Sequence, residues 1–260
     1  MLYKAKGLNG DKLGASDGEI GNVKEFYFDD KYWTIRYLVA DTGNWLAERK
    51  VLISPYAVVD IKTDEKVINT KLTKKQIEES PSLDSDKPVS RQYEESYYGY
   101  FGWPTYWSGP YVWGPDYYPS GRRVEATPEE KRRVEATPKE KKWDPRLRSS
   151  HEVSGYHIHA QDGDIGHVDD FIIDDKTWTI RYLIVDTQNW WPGKEVLISP
   201  KWVNRVSWDE KKVFVNLNRE TIKQAPEYNV EIPITRDYEN RLYSHYRREG
   251  YWANEPLQKT

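Results

Sequence analysis

Two stretches of the chain are nearly the same: WTIRYLVADTGNW from Trp33 to Trp45 and WTIRYLIVDTQNW from Trp178 to Trp190. They are 145 residues apart, and the same offset relates much more of the chain. Asp17-Gly18-Glu19-Ile20-Gly21 matches Asp162-Gly163-Asp164-Ile165-Gly166, and Val51-Leu52-Ile53-Ser54-Pro55 matches Val196-Leu197-Ile198-Ser199-Pro200. Asp64-Glu65-Lys66 matches Asp209-Glu210-Lys211, and Pro81 matches Pro226. Between 17 and 81, 31 of 65 positions are identical. The register persists through Arg91-Gln92-Tyr93-Glu94 against Arg236-Asp237-Tyr238-Glu239, and Tyr106-Trp107 against Tyr251-Trp252. One fold is therefore written twice, each copy carrying its own aromatic tail.

The repeated unit reads as β-structure. Asp17-Gly18 and Asp162-Gly163 are hairpin-turn signals. The segments from Ile20 and Ile165 alternate, then end at the turn formers Asp29-Asp30 and Asp174-Asp175. In the following segment Trp33, Ile35, Tyr37 and Val39 share one face, and Thr34, Arg36, Leu38 and Ala40 the other. Neither face is fully polar, as expected of a central strand with both faces covered in part. Strands at 50–53, 57–61 and 66–72 follow. Thr73 with Gln76 predicts a capped helix that stops before Pro81, and its counterpart spans about Asn218 to Ala225. Five or six short strands in about 70 residues suggest a small closed barrel.

The 260 residues suit two small domains. With no cysteine, disulfide scaffolds, thiolate catalysis and Cys-ligated metals are excluded, and a reducing compartment fits. The opening MLYKAKGLNG lacks a signal pattern, and no apolar run has membrane-spanning length, so a cytoplasmic chain without membrane insertion is expected. A net charge of −3 gives no general attraction to nucleic acid.

The ordered set DG-x-IG, a strand ending in DD, W-x-I-R-Y-L and LISP resembles the PRC-barrel domain, over about residues 1–80 and 146–226. The tails, with R-x-Y-E and a final YW, are similar to those of uncharacterised PRC-barrel proteins. The family includes the cytoplasmic part of the photosynthetic reaction centre H subunit and the C-terminal part of a ribosome maturation factor. The resemblance implies a mainly β fold: two small PRC-type β-barrels, each followed by a short helix and an aromatic-rich tail. It implies surface contact with a protein or ribonucleoprotein partner and carries over no catalytic residues. Neither the membrane helix of the H subunit nor a separate RNA-binding domain is expected in this chain.

Several candidate sites have simpler structural readings. Asp29-Asp30 and Asp174-Asp175 are adjacent strand-end residues whose side chains diverge, so they read as turns with solvated charge. Arg36 and Arg181 are expected to pair with a nearby carboxylate, such as one from the neighbouring strand or the Asp-Asp turn, burying only their stems. Asp41 with Asn44, and Asp186 with Asn189, read as Asx-type turns. His157 and His159 share a strand face, a spacing that can bind a metal, but the first copy has Lys12 and Gly14 there.

The tails are rich in aromatics, in a chain with 12 Trp and 20 Tyr. Their only charged residues between Tyr93 and Tyr118 are Glu94, Glu95 and Asp116. Nucleic-acid binding needs a basic track, so the aromatics point to packing on a barrel, including the other repeat's, or to a protein interface. The interaction candidates are Tyr98, Trp103, Tyr106, Trp107, Tyr243, Tyr251 and Trp252. Residues 108–150 separate the repeats and include the direct repeat RRVEATPEEK–RRVEATPKEK. Thr127-Pro128 with Glu130, and Thr137-Pro138 with Glu140, suggest short helical turns there.

The expected organisation is a barrel over 1–81, a tail over 82–107, a linker over 108–150, a second barrel over 151–226 and a second tail over 227–260. The expected function is a non-catalytic adaptor or structural protein, without cofactor or metal, binding a protein partner through barrel surfaces and tails. The two barrels could pair within the chain, or the chain could form a homodimer. An RNA- or ribosome-associated assembly factor and a soluble reaction-centre or electron-transfer-associated protein are the alternatives.

Overall fold

Two seven-stranded sheets, one for each repeat, form the framework of the computed structural model. The structure describes residues 1–46, 50–82, 89–121, 147–187 and 194–255. The helical turns expected at Thr127 and Thr137, and the turn at Asn189, lie outside the described residues. The chain forms two compact units. The first-repeat unit comprises Gly7–Ser149 with Asp175–Thr179, and the second-repeat unit comprises Met1–Lys6, Ser150–Asp174 and Ile180–Thr260.

The chain begins with β1 (Leu2–Lys4) and α1 (Ala5–Leu8). The first repeat then forms β2 (Lys12–Ala15), β3 (Gly18–Asp29), β4 (Thr34–Asp41), β5 (Val51–Ile53), β6 (Val58–Lys62) and β7 (Val67–Thr70). Helix α2 (Lys74–Glu78) and the longer α3 (Arg91–Phe101) follow. Strand order is β5-β4-β3-β2-β7-β6, with the β2–β7 pair parallel. Strand β8 (Leu147–Ser149) adds to β3.

The second repeat opens with α4 (Ser150–Val153), then β9 (His157–Ala160), β10 (Gly163–Asp174), β11 (Ile180–Asp186), β12 (Glu195–Ile198), β13 (Val203–Ser207) and β14 (Lys212–Val215). Helices α5 (Arg219–Lys223) and α6 (Arg236–His245) end it. The order β12-β11-β10-β9-β14-β13 repeats that of the first sheet, and β1 adds to β10.

The local motifs have physical causes. In DG-x-IG, Gly21 and Gly166 have φ of 148° and 145°, and a Cβ there would lie 2.0 Å and 1.9 Å from the carbonyl oxygens of Asp41 and Asp186. Only glycine permits that approach. In LISP, Ser54 and Ser199 cap the one-turn 3-10 helices Pro55–Ala57 and Pro200–Trp202, with proline in the first turn. Thr73 and Gln76 form both bonds of the expected capping box, and Asn218 caps α5.

Three expectations change. Trp33 and Trp178 are not strand residues: they precede β4 and β11 in the left-handed region, at φ of 52° and 57°. Both faces of β4 are buried from Thr34 to Ala40, because the tail covers the second face. The tails pack within their own repeat's unit. The linker boundaries also differ from the structure. Trp113, placed in the linker, is buried in the first-repeat unit, and the last linker residues form β8. Within that unit Thr34 bridges Thr179, Ile35 N–H donates to the Trp178 carbonyl at 2.7 Å, and the Trp113 indole donates to the Thr177 carbonyl at 2.8 Å.

Candidate functional site

The tail of each repeat is organised by one helix. Ser90 caps α3 by accepting from Tyr93 N–H at 3.2 Å, and Gly102 ends it in the left-handed conformation. Its buried face is Glu94, Tyr97, Tyr98 and Phe101, the i, i+3, i+4, i+7 stripe of an amphipathic helix. In α6, Thr235 is the cap and Glu239, Leu242 and Tyr243 are the buried residues. A glutamate on the apolar stripe is costly unless its oxygens are satisfied.

They are satisfied in the same way twice. Glu94, 0% exposed, accepts from the Tyr37 and Tyr106 hydroxyls at 3.0 Å each and pairs with Arg91 at 3.1 Å. Glu239 accepts from the Tyr182 hydroxyl at 2.7 Å and the Tyr251 hydroxyl at 2.9 Å, and pairs with Arg236 at 2.9 Å. The 145-residue offset relates every member. Burial pushes the Tyr37 and Tyr106 phenols up, and the Glu94 charge pushes them further. They remain hydrogen-bond donors at neutral pH.

A buried arginine extends each network. Arg36, also 0% exposed, pairs with Asp29 at 2.7 Å and donates to the Val112 carbonyl at 2.7 Å. Its guanidinium lies 3.9 Å from the Tyr106 ring centroid and 4.7 Å from that of Trp113. Arg181 pairs with Asp174 and Glu255 and lies 4.0 Å from the Tyr251 ring. Burial pulls the Arg181 guanidinium down, but Asp174 and Glu255 outweigh it, and the net shift is upward. The carboxylate partner, in the Asp-Asp turn, is one of the two sources expected. The extent of burial is not as expected: the whole guanidinium is enclosed, and Asp29 and Asp174 are buried rather than solvated.

The interaction candidates divide sharply. Tyr98, Trp103, Tyr106, Tyr243 and Tyr251 are buried in their own units. Trp107 and Trp252 keep part of their surface exposed. Arg91 stacks 3.8 Å from the Trp107 ring, and Arg236 stacks 4.1 Å from the Trp252 ring. The two tryptophans also meet Tyr98 and Tyr243 edge-on. Each unit thus presents one half-exposed Arg–Trp stack, anchored beneath by the buried Glu–Tyr network.

The histidines do not assemble a metal-ligand group. Among the described residues no three His, Cys, Asp or Glu side chains are placed to hold a metal. His159 Nδ1 instead lies 2.6 Å from Asp164, and its ring packs on Phe214. The Asx turn at Asp41 forms, with Gly43 N–H donating to its side chain at 3.1 Å. Sequence reasoning missed Glu94, Glu239, Arg91 and Arg236 as a set. Their signal was the R-x-Y-E identity, since a glutamate repeated on an otherwise apolar stripe needs a dedicated partner.

The model of the PRC-barrel domain matches residues 11–77 and 148–222, together more than half of the chain. The chain belongs to the PRC-barrel family. It carries the domain in tandem, and each PRC barrel corresponds to one sheet. No curated protein matches it. Among the described residues no helix is long and apolar enough to cross a membrane.

Proposed function

We propose that this tandem PRC-barrel protein is a non-catalytic cytoplasmic adaptor. It binds a protein partner through its barrel faces and two equivalent contact points, Arg91–Trp107 and Arg236–Trp252. The supporting observation is the selective exposure of those pairs: the other candidate aromatics are consumed by packing, while one Trp in each copy stays partly accessible with an arginine stacked on it. Tryptophan and arginine dominate the energetic centres of protein interfaces, because they combine apolar area with a directional polar group. The buried network beneath holds both side chains in place, which lowers the entropy cost of binding.

The test uses the full chain with Trp107→Ala and Trp252→Ala, singly and together, as bait in affinity capture. The double variant is expected to keep its fold, judged by circular dichroism, and to lose partners that the parent chain recovers. Each single variant should lose part of that recovery. Unchanged recovery by the folded double variant would overturn the reading. So would recovery that nuclease treatment abolishes, which would point to RNA.

A further inference from the structure

The two short strands that lead into the repeats are exchanged. Leu2–Lys4 precedes the first PRC barrel in sequence but pairs with β10 of the second-repeat unit. Leu147–Ser149 precedes the second barrel but pairs with β3 of the first-repeat unit. The segments are equivalents under the 145-residue offset, and so are their partners. Leu2, Tyr3 and Lys4 face Asp174, Ile173 and Ile172. Leu147, Arg148 and Ser149 face Asp29, Phe28 and Tyr27.

Each exchanged strand completes an edge that its host leaves unfilled. Strand β2 pairs with β3 only at Gly18, Glu19, Gly21 and Asn22, and β8 takes up the same strand from Tyr27 to Asp29. In the other unit β9 pairs with β10 from Gly163 to His167, and β1 covers Ile172 to Asp174. An open strand edge of this kind invites another strand. Side-chain anchors secure both. Asp170 accepts from Lys6 N–H at 3.1 and 3.2 Å, and Asp169 pairs with the Lys6 ammonium at 2.7 Å. On the other side Arg148 pairs with Asp30 at 3.2 Å, and the Ser149 hydroxyl donates to Glu25. The two acceptors take different sequences, LYK and LRS, so main-chain pairing supplies much of the recognition.

We propose that the upper ends of β3 and β10 are strand-acceptor sites for the leading segment of another PRC repeat. This chain fills both by reciprocal exchange within itself, and a second copy of the chain can supply the same strand in trans. Exchange of an equivalent element is a low-cost route to association, because the contacts made across chains are those made within one. The inference is independent of the Arg–Trp surface.

The chain has no cysteine, so introduced pairs report unambiguously. A protease site is placed in the full chain between residues 130 and 140, and cysteine pairs are oxidised before cutting. Tyr27→Cys with Ser149→Cys reports exchange, because registered antiparallel residues lie within disulfide reach. Ser149→Cys with Ile172→Cys reports the alternative, in which the strand pairs with its own barrel. The exchanged pair is expected to join the two fragments on a non-reducing gel; both cysteines of the alternative pair lie in one fragment and are expected to stay free to a thiol-alkylating label. Lys4→Cys with Ile172→Cys, against Lys4→Cys with Tyr27→Cys, repeats the test at the other end should a Ser149 variant fold poorly. Cross-linking by the alternative pairs instead would overturn the exchange. For the second copy, a chain carrying only Y27C is unfolded and refolded with one carrying only S149C. Disulfide-linked dimer rising with protein concentration is expected, and monomer at every concentration would overturn the proposal of trans exchange.

Discussion

Arg36 and Arg181 occupy equivalent positions on equivalent strands, yet the two repeats enclose them by different means. Arg36 is covered by chain that follows the first tail: Val112 accepts from it and Trp113 stacks on it. Tyr56 fastens that cover by donating to the Trp113 carbonyl at 2.9 Å. The second repeat has Lys201 in place of Tyr56 and no counterpart of Trp113. There Glu255 reaches Arg181 instead, and its side chain remains 21% exposed. One repeat seals the cation with an aromatic lid, and the other neutralises it with a second carboxylate. The same strand arginine is thus satisfied by different residues of the chain that follows each barrel.

The largest effect that can break this contrast is removal of the cation. Arg36→Leu leaves Asp29 buried without its partner, a change that costs about 3–5 kcal/mol in comparable settings. Arg181→Leu should cost roughly half as much, because Glu255 sits near solvent and can turn outward. Urea titrations of the two full-length variants, followed by circular dichroism, give both values. Equal losses would show that the covers are energetically equivalent.

A second comparison concerns one indole. In the first repeat the tail supplies Trp103, stacked on Phe101 at 4.5 Å, while the barrel has Ala57. In the second the barrel supplies Trp202, 4.5 Å from Tyr246, while the tail has the exposed Arg248. Phe101 and Tyr246 are equivalents, so the same slot is filled from opposite sides. Trp103→Arg alone should cost about 3 kcal/mol through lost burial. Ala57→Trp alone should cost about 1–2 kcal/mol through overpacking. The double variant should be more stable than the sum of the two predicts, by about 2 kcal/mol in a denaturant cycle. Strict additivity would mean that the indoles fill different spaces.

The repeat, the succession of strands along each copy and the Thr73 capping box were legible because short-range chemistry determines them. The buried ends of Arg36 and Arg181 were not. Strand alternation places a side chain on a face but does not say what covers that face, and here the cover arrives some seventy residues later. The pairing Asp29–Arg36 was within reach, since both copies keep a spacing of seven across one hairpin. The exchanged strands were beyond reach for a different reason. LYK and LRS are compatible with β3 and β10 in the same register, so local pattern cannot choose between the two acceptors.

The smallest predicted effect separates the anchors of those strands. Asp170 holds the Lys6 N–H, whereas its equivalent, Glu25, is half-buried and holds the Ser149 hydroxyl. Burial pushes the Asp170 carboxyl up to about 6, against the hydrogen bonds from Phe171 and Lys6 that pull it down. A carboxyl whose native value lies above its unfolded value of about 3.9 binds its proton more tightly when folded. The second-repeat unit should therefore gain stability as pH falls through about 6, with the gain complete near pH 4. Between pH 7.5 and 5.0 the shift amounts to about 1 kcal/mol. Asp170→Asn keeps an acceptor for Lys6 and does not titrate, so the difference between parent and variant isolates this carboxyl from the histidines. Urea midpoints at the two pH values should move further apart for the parent than for the variant. A parent and variant that respond alike would mean that the carboxyl holding the exchanged strand is ionised in both states, and that the strand is anchored by a full charge.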